Sequence, residues 1–473
     1  MIPFNKPIAV VGLGKSGCAA ARVLTDLGAQ VVGFDRREVD VDFEAVFGTD
    51  EQQASAVAGY DFDIAVLSPG VNPRSPIWRA LKNSGCEIWG EVELAWRVQQ
   101  HLGKHIEWLT VTGTNGKTTT VSLLGSMLQA AGARCAVVGN VGTPIVEAVA
   151  HADLEVVAVE LSSFQLYTTQ TVQPLASVCL NVDADHLDWH GSLEAYREAK
   201  ARVYLNTRRA CVYDATDPMI LKMVQEADVV EGARAIGYTV GIPSISELGL
   251  VEGQFVDRAF IENREHEAQA VAKLDDMVGY AGQHPSIALV KDTLAAMALA
   301  RAWGASPDAI AQGMHRFALA NHRRKILGQV EQVTWIDDSK ATNAHAALAS
   351  MVGFPNEHVV WIVGGDTKGQ DLRPLVSQVK PLLRGVIVIG ADPKPVLNAL
   401  EDAAPQVPKV VVDGHEDWMF SVVNEAVAMS RPEDTVILAP ACASWDQFNS
   451  YSERGDAFQD AVERLAHQRG VRL

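Results

Sequence analysis

The sequence predicts an α/β fold of three domains, each built on a largely parallel sheet with helices on both faces. Three observations carry this expectation. Short apolar runs of strand length alternate with helical stretches along most of the chain. Polar turns follow those runs, at the strand ends where open α/β sheets bind ligands. At 473 residues the chain exceeds a single core, since a domain holds ~150 residues. The expected domains are residues 1–103, 104–320 and 321–473.

Composition narrows the function classes. A hydrophobic content of 48% with 21% charged residues describes an ordinary globular protein. The net charge of −18 argues against binding nucleic acid or an anionic membrane through a broad basic face. An anionic small ligand must therefore be held by local lysines, arginines, helix N-termini and metal. Six cysteines are scattered without a C-x-x-C pair, as reduced core thiols of a cytosolic protein are. No signal-peptide layout and no run of about 18 apolar residues is present. A cytoplasmic protein with no nucleic-acid or membrane partner is expected.

The first domain opens with a strand at Pro7–Val11, then Gly12-Leu13-Gly14-Lys15-Ser16-Gly17, a helix at Cys18–Leu27 and a strand at Gln30–Asp35. This is a βαβ unit with G-x-G-x-x-G at its turn and an acid closing the second strand. Two readings stand side by side. A pyrophosphate sits at the helix N-terminus with Asp35 near a ribose or base, or the glycines only let helix and strand pack closely. A further strand, Asp61–Leu67, runs into Ser68-Pro69-Gly70-Val71, and a helix starts at Glu91. At about 100 residues the domain is Rossmann-like but shorter than a full dinucleotide-binding fold.

The second domain opens at Leu109–Thr112, followed by Gly113-Thr114-Asn115-Gly116-Lys117-Thr118-Thr119 and a helical stretch, Val121–Leu128. The pattern G-x-x-x-x-G-K-[ST] has Val111 at its first glycine position, so this is a P-loop variant. Unpaired N–H groups at the helix start and the helix dipole make an anion cradle. Gly113 and Gly116 allow close backbone approach, Lys117 reaches terminal phosphates, and Thr118 offers a hydroxyl to Mg²⁺. A strand at Cys135–Val138 feeds the turn Gly139-Asn140-Val141-Gly142. The strand Glu155–Glu160 ends in an acid that either holds Mg²⁺ or caps the next helix. Ala176–Val182 leads into Asp183-Ala184-Asp185-His186, a candidate metal or phosphate contact, although an isolated histidine usually has no such duty. Ser192–Tyr204 reads as an amphipathic helix whose composition gives Lys200 no role. Residues Val229–Asp276 show short β-like pieces without chemistry, and helices follow at Lys291–Trp303 and Pro307–Phe317.

The third domain begins beside a basic run, Asn321-His322-Arg323-Arg324-Lys325, of the kind that is usually a solvated face. Its strands are expected at Val333–Asp338, Val359–Gly365, Gly385–Gly390, Val410–Val412 and Thr435–Ala439. The turns Ser339–Asn343, Asp366–Gly369 and Pro440–Ser444 follow three of them.

Taken together, Thr112–Thr119, Gly139–Gly142, Glu160-Leu161-Ser162-Ser163-Phe164-Gln165, Asp185-His186-Leu187-Asp188, His322-Arg323, Asp338–Asn343 and Ala441–Ser444 resemble the Mur ligases, ATP-dependent amide-bond ligases of bacterial peptidoglycan synthesis. The resemblance covers essentially the whole chain. The first glycine turn with Asp35, the Ser339–Asn343 run, and Ala441–Ser444 followed by Asp446-Gln447-Phe448 look most like the D-glutamate-adding branch. A related ligase adding another amino acid is the alternative.

The resemblance implies phosphorylation of the carboxylate of UDP-N-acetylmuramoyl-L-alanine by ATP, then attack by D-glutamate on the acyl phosphate. It implies a catalytic set of Lys117, His186, Lys200 and Asn140. ATP is expected at Gly113, Thr114, Asn115, Gly116, Lys117, Thr118 and Thr119, with Arg323, Asp338 and Lys340 from the third domain. Thr118 and Glu160 would hold one Mg²⁺. His186 and a carbamylated Lys200 would serve a second. Lys15, Ser16, Asp35 and Arg36 are placed around the uridine diphosphate, and Asn140 and His186 near the muramoyl group. Thr342, Lys368, Ser444 and Tyr451 are placed at the D-glutamate carboxylates, where a lysine and hydroxyl donors suit a dianion. A monomer is expected. The chain departs from the family's G-x-H-N-x-x-N pattern: Gly282-Gln283-His284 is followed by Pro285-Ser286-Ile287, and Asp292 falls nearest the expected amide.

Rival classes account for less. A nicotinamide-dependent oxidoreductase uses the first glycine turn but leaves Gly116-Lys117-Thr118 and Glu160 unexplained. A nucleotide switch needs no polar turns in the third domain. A folylpolyglutamate-type ligase lacks a UDP-binding first domain.

Overall fold

A computed structural model describes residues 2, 4–281, 285–318, 322–412, 414 and 417–473. Gly282-Gln283-His284 and Asn321 lie outside the described residues. The chain forms two compact units, Met1–Asp276 with Lys291–Arg316, and Met277–Val290 with Phe317–Leu473.

The first unit holds two sheets. The smaller is all parallel, in the spatial order Glu44–Phe47, Val31–Asp35, Ile8–Val11, Ile64–Leu67, Glu87–Gly90. Ile8–Val11 and Ile64–Leu67 are buried along their whole length, because helices cover both faces. The larger sheet has nine strands. Cys135–Gly139, Val156–Glu160, Glu107–Thr112, Ala176–Cys179, Ala210–Asp214, Arg234–Thr239 and Glu247–Val251 lie side by side and parallel. Gln254–Asp257 and Gln269–Lys273 add an antiparallel edge. One hydrophobic cluster runs through both sheets, with Trp96 edge-on to Trp108 at 5.6 Å between ring centres.

The second unit contains a six-stranded sheet, in the order Lys325–Val330, Val333–Asp337, Thr435–Leu438, Val359–Gly364, Leu383–Ile389, Lys409–Val411. Only the first pairing is antiparallel. Val359–Gly364 is buried throughout, between helix layers that fill both faces with Val, Ile, Leu and Met. The α/β expectation therefore holds.

Element ends differ from expectation where a turn takes over backbone bonding. The strand expected to reach Val182 stops at Cys179, and Asn181 instead wraps the phosphate-loop turn. The helix expected from Val121 begins at Lys117, because Gly116 takes a left-handed φ of +83° and accepts from Thr120 N–H. Helix Lys15–Asp26 likewise starts inside the glycine run. Residues Val229–Asp276 resolve into four strands. Glu44–Phe47, which composition did not mark, is a partly exposed edge strand. Among the described residues no helix is long and apolar enough to cross a membrane.

Helix Pro307–Arg316 lies directly against the phosphate-loop helix Lys117–Ala130, and Ser126 Oγ donates to the Gly313 carbonyl at 2.7 Å. A Cβ at Gly313 would stand 2.5 Å from Met127 Cα. Backbone faces backbone there, so nothing can rotate away. Gly313→Ala is expected to destabilise the first unit by about 1–3 kcal/mol, read as a lowered Tm. An unchanged Tm would show that the helices separate without cost.

Candidate active site

The phosphate-loop turn sits at the carboxyl end of Glu107–Thr112, between the ends of Val156–Glu160 and Ala176–Cys179. Asn181 Oδ1 accepts from Thr114 N–H at 3.1 Å and Asn115 N–H at 2.9 Å, and its amide donates to Asn115 O at 3.2 Å. Thr114 Oγ1 also meets Tyr196 OH at 3.2 Å. A Cβ at Gly116 would come within 2.3 Å of Asp292 Oδ1, so the departure residue Asp292 abuts the cradle. Thr119 is buried in the first helical turn.

Two lysines converge on one oxygen. Lys117 Nζ donates to Gly113 O at 2.8 Å and Thr114 O at 2.9 Å, and Lys200 Nζ donates to Gly113 O at 2.7 Å. Lys200 is 2% exposed and stacks over Tyr196. Burial, then the nearby Lys117 charge, push its amine down to about 7. The helix Leu193–Ala201 thus turns Lys200 inward, where composition had shown only a solvated face.

Glu160 closes the other side of the cradle. Its carboxylate, 1% exposed, accepts from Thr118 Oγ1 at 2.7 Å and Asn140 Nδ2 at 2.9 Å. A Cβ at Gly139 would lie 2.2 Å from Glu160 O, so the adjacent strand needs glycine there. The alternative helix-cap duty falls to Ser162, which forms a capping box with Gln165. A hydroxyl and one carboxylate fit Mg²⁺, which keeps waters and nucleotide oxygens as its other ligands. Among the described residues no three His, Cys, Asp or Glu side chains form a set able to hold a metal by themselves. His186 has a left-handed φ of +53°, stands 3.6 Å from Asp185 and packs on Phe164 at 4.8 Å between ring centres.

In the first turn, a Cβ at Gly17 would stand 1.8 Å from Gly12 O, so that glycine is required for packing. Asp35 Oδ2 accepts from Leu13 N–H at 2.6 Å and Oδ1 from Arg37 N–H at 2.9 Å, which fixes the acid against the glycine turn. Arg36 forms a two-point pair with Asp50 at 2.7 and 2.6 Å. Lys15 Nζ donates to Gly142 O at 2.6 Å, joining this turn to the Asn140 turn. Beside Ser16, Glu91 is 2% exposed and accepts from Val146 N–H at 3.1 Å. Burial pushes its carboxyl up to about 7, opposed by the Val146 N–H bond to Oε1, while Oε2 is buried without a hydrogen-bond partner among the described residues.

In the second unit, three turns interlock at the carboxyl ends of adjacent parallel strands. Ala441 N–H donates to Ala341 O at 2.8 Å, and Asp366 and Ala443 exchange backbone bonds at 3.0 and 2.8 Å. These turns carry Asp338, Lys340, Thr342, Lys368 and Ser444. Lys340 Nζ lies 3.8 Å from the centre of the Tyr451 ring. Burial raises the Asp338 carboxyl to about 6; Ser350, Arg324 N–H and the Arg323 charge act in the opposite direction. Lys368 has φ +51° and donates its N–H to Asp366 Oδ1 at 2.8 Å.

The solvated face expected of the basic run fails at His322, which is 4% exposed. It meets Asp337 Oδ2 at 2.6 Å, and its carbonyl accepts from Lys340 N–H at 3.0 Å. Sequence reasoning missed this residue's packing, Asn181, Tyr196 and Arg454. Only an apolar strand ending in an acid, Asp337, hinted at any of them.

A profile described as the Mur ligase middle domain matches residues 111–244, and one described as the Mur ligase glutamate ligase domain matches residues 322–442. The chain belongs to the Mur ligases. It is 44% identical over 470 residues to the UDP-N-acetylmuramoylalanine–D-glutamate ligase of Streptomyces coelicolor, covering 98% of each chain. The enzyme of the same name from Thermobifida fusca is 44% identical over 474 residues, covering 98% of this chain and 99% of that one. Among solved structures, the MurF ligase of Thermotoga maritima in complex with ADP superposes with a TM-score of 0.58 over 98% of this chain and 95% of that one. At 16% identity that likeness speaks for the fold alone.

Glu91 gives a measurable pH dependence. Its native carboxyl keeps a proton up to about pH 7, whereas the unfolded chain releases it near 4.5. The stability this group contributes is therefore present at low pH and lost as pH rises from 4.5 to about 7. Glu91→Gln keeps the acceptor for Val146 and removes the titration. The variant is expected to gain on the parent by on the order of 3 kcal/mol across that window, read from urea midpoints at pH 4.5 and 8. Parallel pH profiles would overturn the assignment.

Proposed function

We propose that the protein joins D-glutamate to UDP-N-acetylmuramoyl-L-alanine at the expense of ATP, releasing ADP and phosphate. The observation that carries this is the cradle of Lys117, Thr118, Glu160, Asn140 and Lys200, in a chain matched end to end by ligases of that name. A substrate carboxylate oxygen attacks the γ-phosphorus and the bond to ADP breaks. The amine of D-glutamate then attacks the acyl carbon, loses a proton, and the tetrahedral intermediate expels phosphate.

Lys117 exchanges its loop carbonyls for the β- and γ-phosphates, and the loop N–H groups receive the remaining oxygens. Thr118 and Glu160 would hold Mg²⁺, which would neutralise charge on the phosphoryl group. Asn140, fixed by Glu160, and His186 face the muramoyl group. Lys15, Ser16, Asp35 and Arg36 form the uridine diphosphate end, where the diphosphate competes with Asp50 for Arg36. Arg323, Asp338 and Lys340 serve ATP, and Thr342, Lys368, Ser444 and Tyr451 serve D-glutamate. The working domains are residues 1–103, 104–320 and 321–473, in a cytoplasmic monomer.

Lys200 is assigned as a carbamate, with His186 at a second Mg²⁺. Addition of CO₂ needs a neutral amine, and a value of about 7 leaves a large neutral fraction at physiological pH. The carbamate also replaces a like-charge contact with Lys117 by an attractive one.

Phosphate release with MgATP and UDP-N-acetylmuramoyl-L-alanine is expected with D-glutamate, and not with L-glutamate, L-lysine or meso-diaminopimelate. Release only with another amino acid would keep the ligase and reject the acceptor; none with any would reject the reading. Lys200→Ala is expected to lose nearly all turnover and to recover part of it in formate or acetate. Full activity without rescue would exclude the carbamate.

A further inference from the structure

Arg454 is among the largest fully buried side chains of the described residues, at 1% exposure. It lies in the first turns of helix Tyr451–Gln468. Its Nε donates to Ser339 Oγ at 3.0 Å, and Nη2 to Ser339 O at 2.9 Å and Cys442 O at 3.2 Å. Nη1 donates to Cys442 O at 3.2 Å and Ala443 O at 3.5 Å. Five N–H groups thus find five contacts, and every acceptor is neutral. These acceptors belong to two different turns. Ser339 lies between Asp338 and Lys340, and Cys442-Ala443 precede Ser444.

We infer that Arg454 is a positioning residue that sets the spacing between the Ser339–Asn343 and Ala441–Ser444 turns, and so the geometry in which ATP and D-glutamate are held. The inference rests on the functional reading above. A guanidinium is the one side chain with a planar fork able to reach both turns at once. Lysine offers a point charge that satisfies one turn at a time.

The surroundings leave no slack. Ser339 Oγ donates onward to Tyr451 O at 2.7 Å, so the serine links its own turn to the helix start. A Cβ at Gly455 would fall 2.0 Å from His322 Nδ1, so the residue after Arg454 must be glycine for the helix to sit this deep. His322 in turn accepts Lys340 N–H at its carbonyl. A Cβ at Gly365 would approach Arg454 Nη1 to 3.3 Å, bringing the third turn against the same guanidinium.

Burial of a cation among neutral acceptors is costly. It pushes the Arg454 guanidinium down to about 10, still protonated at neutral pH. A purely structural brace could be built from uncharged groups. A retained charge beneath two ligand-bearing turns fits a site that receives anions.

The test compares Arg454→Ala, Arg454→Lys and the parent in the full chain. Arg454→Ala is expected to raise KM for ATP and D-glutamate roughly tenfold or more, with KM for the UDP substrate within about twofold. Guanidinium ion is expected to restore part of the loss. Arg454→Lys keeps charge and bulk and should show the same selective KM change at near-parent Tm. Hydrogen exchange at Ser339–Asn343 and Ala441–Ser444 should quicken in both variants, with the sheet strands unchanged. Equal losses toward all three substrates, or unchanged exchange at the two turns, would overturn the inference. Failure of the parent to release phosphate with D-glutamate would instead reject the functional reading, and the exchange data would still decide the brace.

Discussion

Lys117 and Lys200 donate to the same carbonyl oxygen, that of Gly113. The two amines repel, and the Lys117 charge helps push the Lys200 amine down to about 7, while Lys117 keeps a second acceptor in Thr114 O. The pair is held because each is fixed from outside: Lys117 by its place at the helix start, Lys200 by burial under Tyr196. Much of the local architecture follows. Gly113 must expose its carbonyl, Asn181 must take the N–H groups of Thr114 and Asn115, and the carboxylate of Glu160 must be fixed nearby by neutral donors. A phosphate bound at this helix start would add negative charge beside both lysines.

Parallel sheets make this possible in both units. Their strand ends open together, and the turns that follow are free to bond to one another instead of to the ladder. In the first unit Gly139, Glu160 and Val111 lie in register on adjacent strands, so Asn140 and Thr118 meet one carboxylate. In the second unit the turns after Val333–Asp337, Thr435–Leu438 and Val359–Gly364 share backbone bonds, and the first two also share the Arg454 guanidinium. The same topology yields a charge-bearing cradle in one place and a braced platform in the other.

Legibility in the sequence follows burial and range. Inner strands such as Ile64–Leu67 and Val359–Gly364 are apolar throughout because helices cover them twice, and they could be placed within a few residues. Strands at and near the sheet edges were harder, since Glu44–Phe47 has no buried position and Gln254–Asp257 mixes exposed and buried ones. Gly116-Lys117-Thr118 was readable because strand, turn and helix are contiguous. Lys200 was not, because its effect comes from a carbonyl 87 residues away. Arg454 reaches back 115 residues to Ser339 and leaves no local mark. Asp35 shows a local contact that the motif does not specify, its carboxylate accepting from Leu13 N–H.

Several groups at these strand ends are held away from their ordinary protonation behaviour, and in each case burial is the first cause. Lys200 is shifted down, Asp338 up, and Arg454 down. Such shifts cost stability, and a chain of net charge −18 has carboxylates enough to neutralise its cations by ordinary pairing. Instead the hydrogen bonds of Lys200 and Arg454 go to carbonyls and a hydroxyl, with the Asp185 and Glu160 charges also favouring the Lys200 ammonium. Carbonyl partners orient a cation without cancelling its charge. An acidic protein that must hold several anions at once needs that distinction. Carboxylate partners would quench the field that draws the substrates in, whereas neutral acceptors keep it and fix its direction.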